Sequence, residues 1–160
     1  MAIASAFTTG QVVTAADMNS LPWGPVITTS GGTSNRGYIT GLAAQTINAG
    51  VTADITNSSM TFSGISGRLY RLMAAGQITS SSASGVATLV VTDASNTIVW
   101  RTYINMTNSA GSGSFSINYV FTATGSTTRK LRLTSDSGNT TIFSASSLGA
   151  ITLEDMGPTT

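Results

Sequence analysis

The stretch Ser114-Phe115-Ser116-Ile117-Asn118-Tyr119-Val120-Phe121 decides the fold. Phe115, Ile117, Tyr119 and Phe121 occupy every second position and alternate with Ser114, Ser116, Asn118 and Val120. Successive side chains of a strand point to opposite faces, so this pattern predicts a strand with one apolar wall. A second stripe lies just before it: Ile98, Trp100, Thr102, Ile104 and Met106 alternate with Val99, Arg101, Tyr103 and Asn105. Val86 to Thr92 is almost wholly Val, Leu, Ala and Thr, as a central strand requires. Outward from these, Val51 to Thr56, Met60 to Ser63 and Leu69 to Ile78 read as strands on the N-terminal side. Leu131 and Leu133, alternating with Lys130 and Arg132, together with Ile142 to Ser144 and Ile151 to Glu154, complete the C-terminal set. Gly64 to Gly67, Ser80 to Gly85, Asp93 to Asn96, Asn108 to Gly113, Gly125 to Thr127 and Ser135 to Asn139 break the runs. Short strands at this spacing predict an antiparallel sandwich or jelly roll. No helical pattern separates the strands, which argues against a parallel α/β sheet, and no repeat suggests a propeller or solenoid.

The chain has 160 residues, a length that suggests one domain with a self-sufficient core. Cysteine and histidine are absent. That removes disulfides, thiolate chemistry, the usual zinc ligands and the usual general base. Charged residues make up 8 % of the chain, with a formal net charge of +1. About 25 % is usual, and a monomer normally needs more charge to stay unassociated. Instead there are 23 serines and 27 threonines among 160 residues, against one lysine and one glutamate. Hydroxyl surfaces favour strands and turns and cost less to desolvate than charged ones, which suits a subunit that packs against others. Arg129, Lys130 and Arg132 form the one basic cluster, with Arg129 on one strand face and the other two on the opposite face. It does not amount to a nucleic-acid footprint. No apolar window is long enough for a membrane helix, and Met1 to Phe7 lacks the basic region of a signal peptide.

The first 25 residues differ from the rest. Thr14-Ala15-Ala16-Asp17 fits a helix start, Met18 and Leu21 share a face, and Pro22 stops it, so one short helix is expected over 14–21. So short a helix is marginal in water and must dock on its own domain or a neighbour. Trp23, between Pro22 and Gly24, lies outside the strand pattern and calls for an inter-subunit or capsid pocket. Thr28 to Asn35 reads as a mobile loop or a linker, which would separate this arm from the body.

Chemistry is sparse. Asp136-Ser137-Gly138 matches an aspartic-protease signature but also suits a hairpin turn, and nothing apolar follows the glycine. Glu154 and Asp155 are adjacent, so in a strand they face opposite ways; a salt bridge or solvated edge suits them better than an acid/base pair. Asp93, Asn96, Asp136 and Asn139 lack calcium-loop spacing. Trp100 suits the core, with a sugar-stacking platform as the other reading. Tyr70 and Arg71 read equally as an interface anchor pair or as a strand start whose aromatic packs inward.

Two segments carry a resemblance. Ala6-Phe7-Thr8-Thr9-Gly10-Gln11-Val12-Val13-Thr14-Ala15-Ala16-Asp17-Met18-Asn19 and Leu21-Pro22-Trp23-Gly24 resemble the N-terminus of small virion proteins from tailed phages of actinobacteria. Ile151-Thr152-Leu153-Glu154-Asp155-Met156-Gly157-Pro158 resembles their closing motif, and Gly67 to Arg71 and Arg129 to Leu133 resemble their strand motifs. The resemblance implies a virion structural role, as a head-decoration or minor tail protein, with a trimeric jelly-roll body of the tumour-necrosis-factor type and no catalytic residue.

The expectation is therefore an all-β antiparallel sandwich or jelly roll over 25–160, preceded by an anchoring arm with one helix over 1–24. Phe7, Val12, Val13, Met18, Leu21, Trp23, Tyr70 and Arg71 are the expected anchors. The expected function is capsid decoration by a homotrimer on the major capsid protein, or else a minor tail or fibre-tip subunit touching the host surface. Enzymatic activity, cofactors, metals, nucleic acid and membranes are not expected, and the expected location is the virion, assembled in the bacterial cytoplasm.

Overall fold

A computed structural model describes residues 24–25, 38–39, 42, 44–80, 85–106, 112–135, 141–143 and 151–159. Residues 1–23 of the expected arm, with its helix and Trp23, the 28–35 linker and Asp136 lie outside them, while Gly24, the last residue of that arm, pairs with Asp155. Twelve strands are described: β1 (Gly24–Pro25), β2 (Tyr38–Ile39), β3 (Gln45–Ile47), β4 (Thr52–Asp54), β5 (Met60–Gly64), β6 (Arg68–Ser80), β7 (Gly85–Thr92), β8 (Ile98–Met106), β9 (Ser112–Thr122), β10 (Gly125–Thr134), β11 (Thr141–Phe143) and β12 (Ile151–Pro158).

They form two antiparallel sheets. In the seven-stranded sheet β6 is the spine. It pairs with β9 along one side, from Leu69↔Thr122 to Thr79↔Ser112. On its other side β12 and β11 lie end to end, with Leu153↔Leu72 and Ile142↔Thr79 among the pairs. Beyond them sit β1 and β2 against β12, and β3 against β11. The five-stranded sheet runs β4-β10-β7-β8, with β5 also on β10. The inner faces of both sheets close on one core, so the chain is an antiparallel β-sandwich, as the alternation predicts. Tyr70, Leu72, Phe115, Ile117 and Leu153 come from one sheet, and Phe62, Leu89, Val91, Ile104, Leu131 and Leu133 from the other. Each such side chain contributes roughly 1.5 to 3 kcal/mol by leaving water.

The stripe on β9 appears as expected: Phe115, Ile117 and Phe121 are buried and Tyr119 packs against the core. The stripe on β8 holds from Trp100 onward and fails at Ile98. Val91 pairs with Trp100 but Thr92 pairs with Ile98, so the register skips Val99. The extra residue lets Val99 and Trp100 both pack on the core and turns Ile98 outward to 46 % exposure. Trp100 is thus a core contact. Gly125 to Thr127, expected as a breaker, instead begins β10, with Gly125 at φ 68 supplying the turn. The short β3 goes unpredicted, since three residues show no period.

The chain passes between the sheets repeatedly, and two of these crossings, from β5 to β6 and from β9 to β10, touch. A Cβ on Gly64 would lie 2.6 Å from the Ala123 carbonyl carbon, so only glycine permits this contact. Tyr70 secures the corner: its Oη accepts the Ile65 N–H at 2.9 Å. Its ring lies 5.0 Å from Phe62 and 6.0 Å from Phe121. Arg129 caps the cluster, its guanidinium 4.6 Å above the Phe121 ring. Ser58 closes the gap between β4 and β5. Its hydroxyl donates to the Leu131 carbonyl at 3.2 Å and accepts the Leu131 N–H at 3.1 Å.

Candidate functional site

Of the expected anchors, Phe7, Val12, Val13, Met18, Leu21 and Trp23 lie outside the described residues. Tyr70 is corrected: it is 1 % exposed, wedged in the aromatic cluster, and its hydroxyl serves the chain's own corner, so its ring reaches no neighbour. Arg71 faces the opposite way, half-buried, and donates to Glu154 Oε2 through Nη2 at 2.6 Å. Glu154 and Asp155 do point apart and both are ion-paired. Asp155 takes the Arg68 Nε at 2.7 Å, with the Arg68 side chain 7 % exposed. Asp93 accepts the Thr97 and Ser95 N–H groups at 2.8 and 2.9 Å. The backbone bond from Thr97 leads the causes that hold its carboxyl below the ordinary 3.8. That is a turn-closing role. Among the described residues no three Asp, Glu, His or Cys side chains gather as metal ligands, and no helix is long and apolar enough to cross a membrane.

With the core filled, the outer sheet faces are the surfaces on which function can rest. On the seven-stranded sheet, the register places Val120, Arg71 and Glu154 in one cross-strand row and Asn118, Met73 and Thr152 in the next. Ser116 stands opposite Ala75 and Ser114 opposite Gln77. The one cation and one anion in these rows neutralise each other. Val120 is 45 % exposed, and a hollow of about 300 Å³ opens between Met73, Ala75, Ser116, Asn118 and Thr152. Among the described residues this face is neutral, mixing hydroxyl, amide, small and apolar side chains.

The five-stranded sheet presents the opposite character. One row reads Asp54, Arg132, Val90, Arg101; the next reads Thr52, Thr134, Thr88, Tyr103. Lys130 Nζ lies 2.7 Å from Asp54 Oδ2, and Arg132 Nε lies 2.5 Å from Oδ1. Burial pushes the Asp54 carboxyl up, but the hydrogen bonds and charges of Lys130 and Arg132 outweigh it and hold it below 3.8. Thr52 and Thr134 share a hydroxyl hydrogen bond of 2.7 Å. Tyr103 stands 62 % exposed, and Arg101 Nη1 donates to its Oη at 3.4 Å. Val90, 3 % exposed, floors a hollow of about 440 Å³ between these side chains. Among the described residues, three cations against Asp54 leave this face with an excess of two positive charges.

The sequence shows Arg101, Tyr103 and Arg132 but not their assembly. They lie on two strands separated by β7, and only cross-strand register brings them together.

No protein-family model and no curated protein matches the chain. Solved structures are similar at low scores. One described as "CBM4 structure and function" aligns at a TM-score of 0.38 and 16 % identity, over 84 % of this chain and 94 % of that one. A carbohydrate-binding module, CBM36, in complex with calcium and xylotriose aligns at 0.31 and 17 %, over 71 % and 87 %. The D431N mutant VP2 protein of infectious bursal disease virus aligns at 0.35 and 12 %, over 74 % of this chain and 39 % of that one. At these scores the similarities speak to neither ligand nor partner.

Proposed function

We propose that this chain is a non-enzymatic structural subunit of a tailed-phage virion, a capsid decoration protein that trimerises on the particle exterior. The observation that carries the reading is the neutral outer face of the seven-stranded sheet. A broad face whose only charges among the described residues cancel, and whose other groups are hydroxyls, amides, small side chains, Met73 and an exposed valine, is inexpensive to desolvate. Packing such faces together, or onto the major capsid protein, adds buried area across capsomer joints and resists internal pressure. The 1–24 arm, with Trp23, supplies the grip on the shell. The resemblance of the two chain ends to phage virion proteins points the same way.

The test is sedimentation of the purified chain and of Val120→Lys and Ala75→Arg, each also mixed with undecorated capsids. The parent is expected to sediment as a trimer and to saturate capsids; the variants, unchanged in β-sheet circular dichroism, are expected to dissociate. A monomeric parent with no affinity for capsids would sink the proposal. Deleting residues 1–24 is expected to abolish capsid binding. A second reading, a minor tail or fibre-tip subunit that touches the host surface, is favoured by exposed Tyr103. Immunogold labelling of whole particles distinguishes head from tail.

A further inference from the structure

We propose that the outer face of the five-stranded sheet binds an anionic saccharide, a sugar unit bearing a carboxylate or a phosphate. The inference goes beyond the structural role and does not depend on where the subunit sits on the particle.

Charge gives the first argument. Among the described residues, Arg68, Arg71, Lys130 and Arg132 are each paired with a carboxylate, and Arg129 lies over Phe121. Arg101 meets only a phenol oxygen, at 3.4 Å. It stands in a row with Arg132, on a face that among the described residues carries three cations and one carboxylate, Asp54. An anion is the complement of such a face.

The aromatic gives the second. Tyr103 is two residues from Arg101 on the same side of β8, about 7 Å away along the strand. Its ring contributes nothing to the core and is 62 % exposed. A flat amphipathic ring beside a guanidinium suits a partner with an apolar C–H face and a charge at one edge, which is what an acidic sugar offers.

Shape gives the third. The hollow of about 440 Å³ is floored by Val90 and rimmed by Thr88, Thr134 and Asn96, groups that donate and accept hydrogen bonds as sugar hydroxyls do. A polynucleotide needs a longer basic track than this face provides.

Heteronuclear NMR titration of the intact chain tests this with four probes: trigalacturonate, mannose 6-phosphate, maltotriose and triglutamate. Shifts confined to Tyr103, Arg101, Arg132, Thr88 and Val90, with saturation by one of the two acidic sugars, are expected. Which acidic sugar binds identifies the anionic group. Tyr103→Ala and Arg101→Gln, exposed changes that leave the fold intact, are each expected to weaken binding about tenfold. Added salt should weaken it further. Equal binding of triglutamate would reduce the face to a polyanion patch and overturn the proposal. So would equal binding of maltotriose, no saturable binding of either acidic sugar, or binding insensitive to Tyr103→Ala. None of these outcomes bears on trimerisation or capsid affinity, so failure here is distinguishable from failure of the virion reading.

Discussion

At the scale of single residues, Tyr70 joins two kinds of stabilisation. Its ring fills the corner between sheets and its hydroxyl satisfies the Ile65 N–H in the crossing itself. Tyr70→Phe keeps the ring and removes the acceptor. It is expected to cost about 1 kcal/mol, a fall in Tm of roughly 2 to 4 °C by calorimetry. An unchanged Tm would show that water replaces the hydroxyl without loss. Asp54 makes a pH-dependent contribution. Because its folded-state carboxyl sits below the ordinary 3.8, the stabilisation is full above that value and is lost as pH falls through the lowered one. Asp54 is half exposed, so solvent screening keeps the effect small. Asp54→Asn is expected to cost about 0.2 to 1 kcal/mol at pH 7. The gap between variant and parent in urea midpoints should close in strong acid; a gap that persists there would assign the loss to packing instead.

The scale of the element is where sequence reading succeeded most and failed most instructively. Phe115 to Phe121 could be read because β9 is regular and has one wet face, so its period survives in the residue types. The stripe of β8 misled at Ile98 because nothing in the residue types announces an extra residue in a ladder. The bulge at Val99 is decided by how β7 and β8 fit the core. Its energetic consequence is measurable. Ile98→Thr is expected to change stability by no more than about 0.5 kcal/mol, whereas Ile104→Ala, on the same predicted stripe but 3 % exposed, should cost about 2 to 5 kcal/mol. Comparable losses would mean the predicted register, not the bulged one, is present in solution. The pairing of Arg68 with Asp155 and of Arg71 with Glu154 was legible only in part. Alternation showed that the two carboxylates diverge, but their partners lie more than 80 positions earlier. The candidate sugar face was legible only as two separate pairs, Arg101 with Tyr103 and Lys130 with Arg132, whose meeting is a product of register between β8, β7 and β10.

For the whole molecule, the low charge that suggested a subunit takes on a direction. A net charge of +1 describes a nearly neutral protein. Yet among the described residues one broad side is balanced by Arg71 against Glu154, while the other carries Lys130 and Arg132 on Asp54 and Arg101 with no carboxylate partner. Two sheets about 10 Å apart therefore separate a side suited to neighbours from a side suited to anions. Such a slab has a front and a back. Copies laid on a lattice with their neutral sides inward turn Arg101, Lys130 and Arg132 outward, and an array of them presents a repeating positive texture although each copy hardly carries charge. Many weak contacts from such an array, to any negatively charged coat it meets, add up to adhesion that no isolated copy would display.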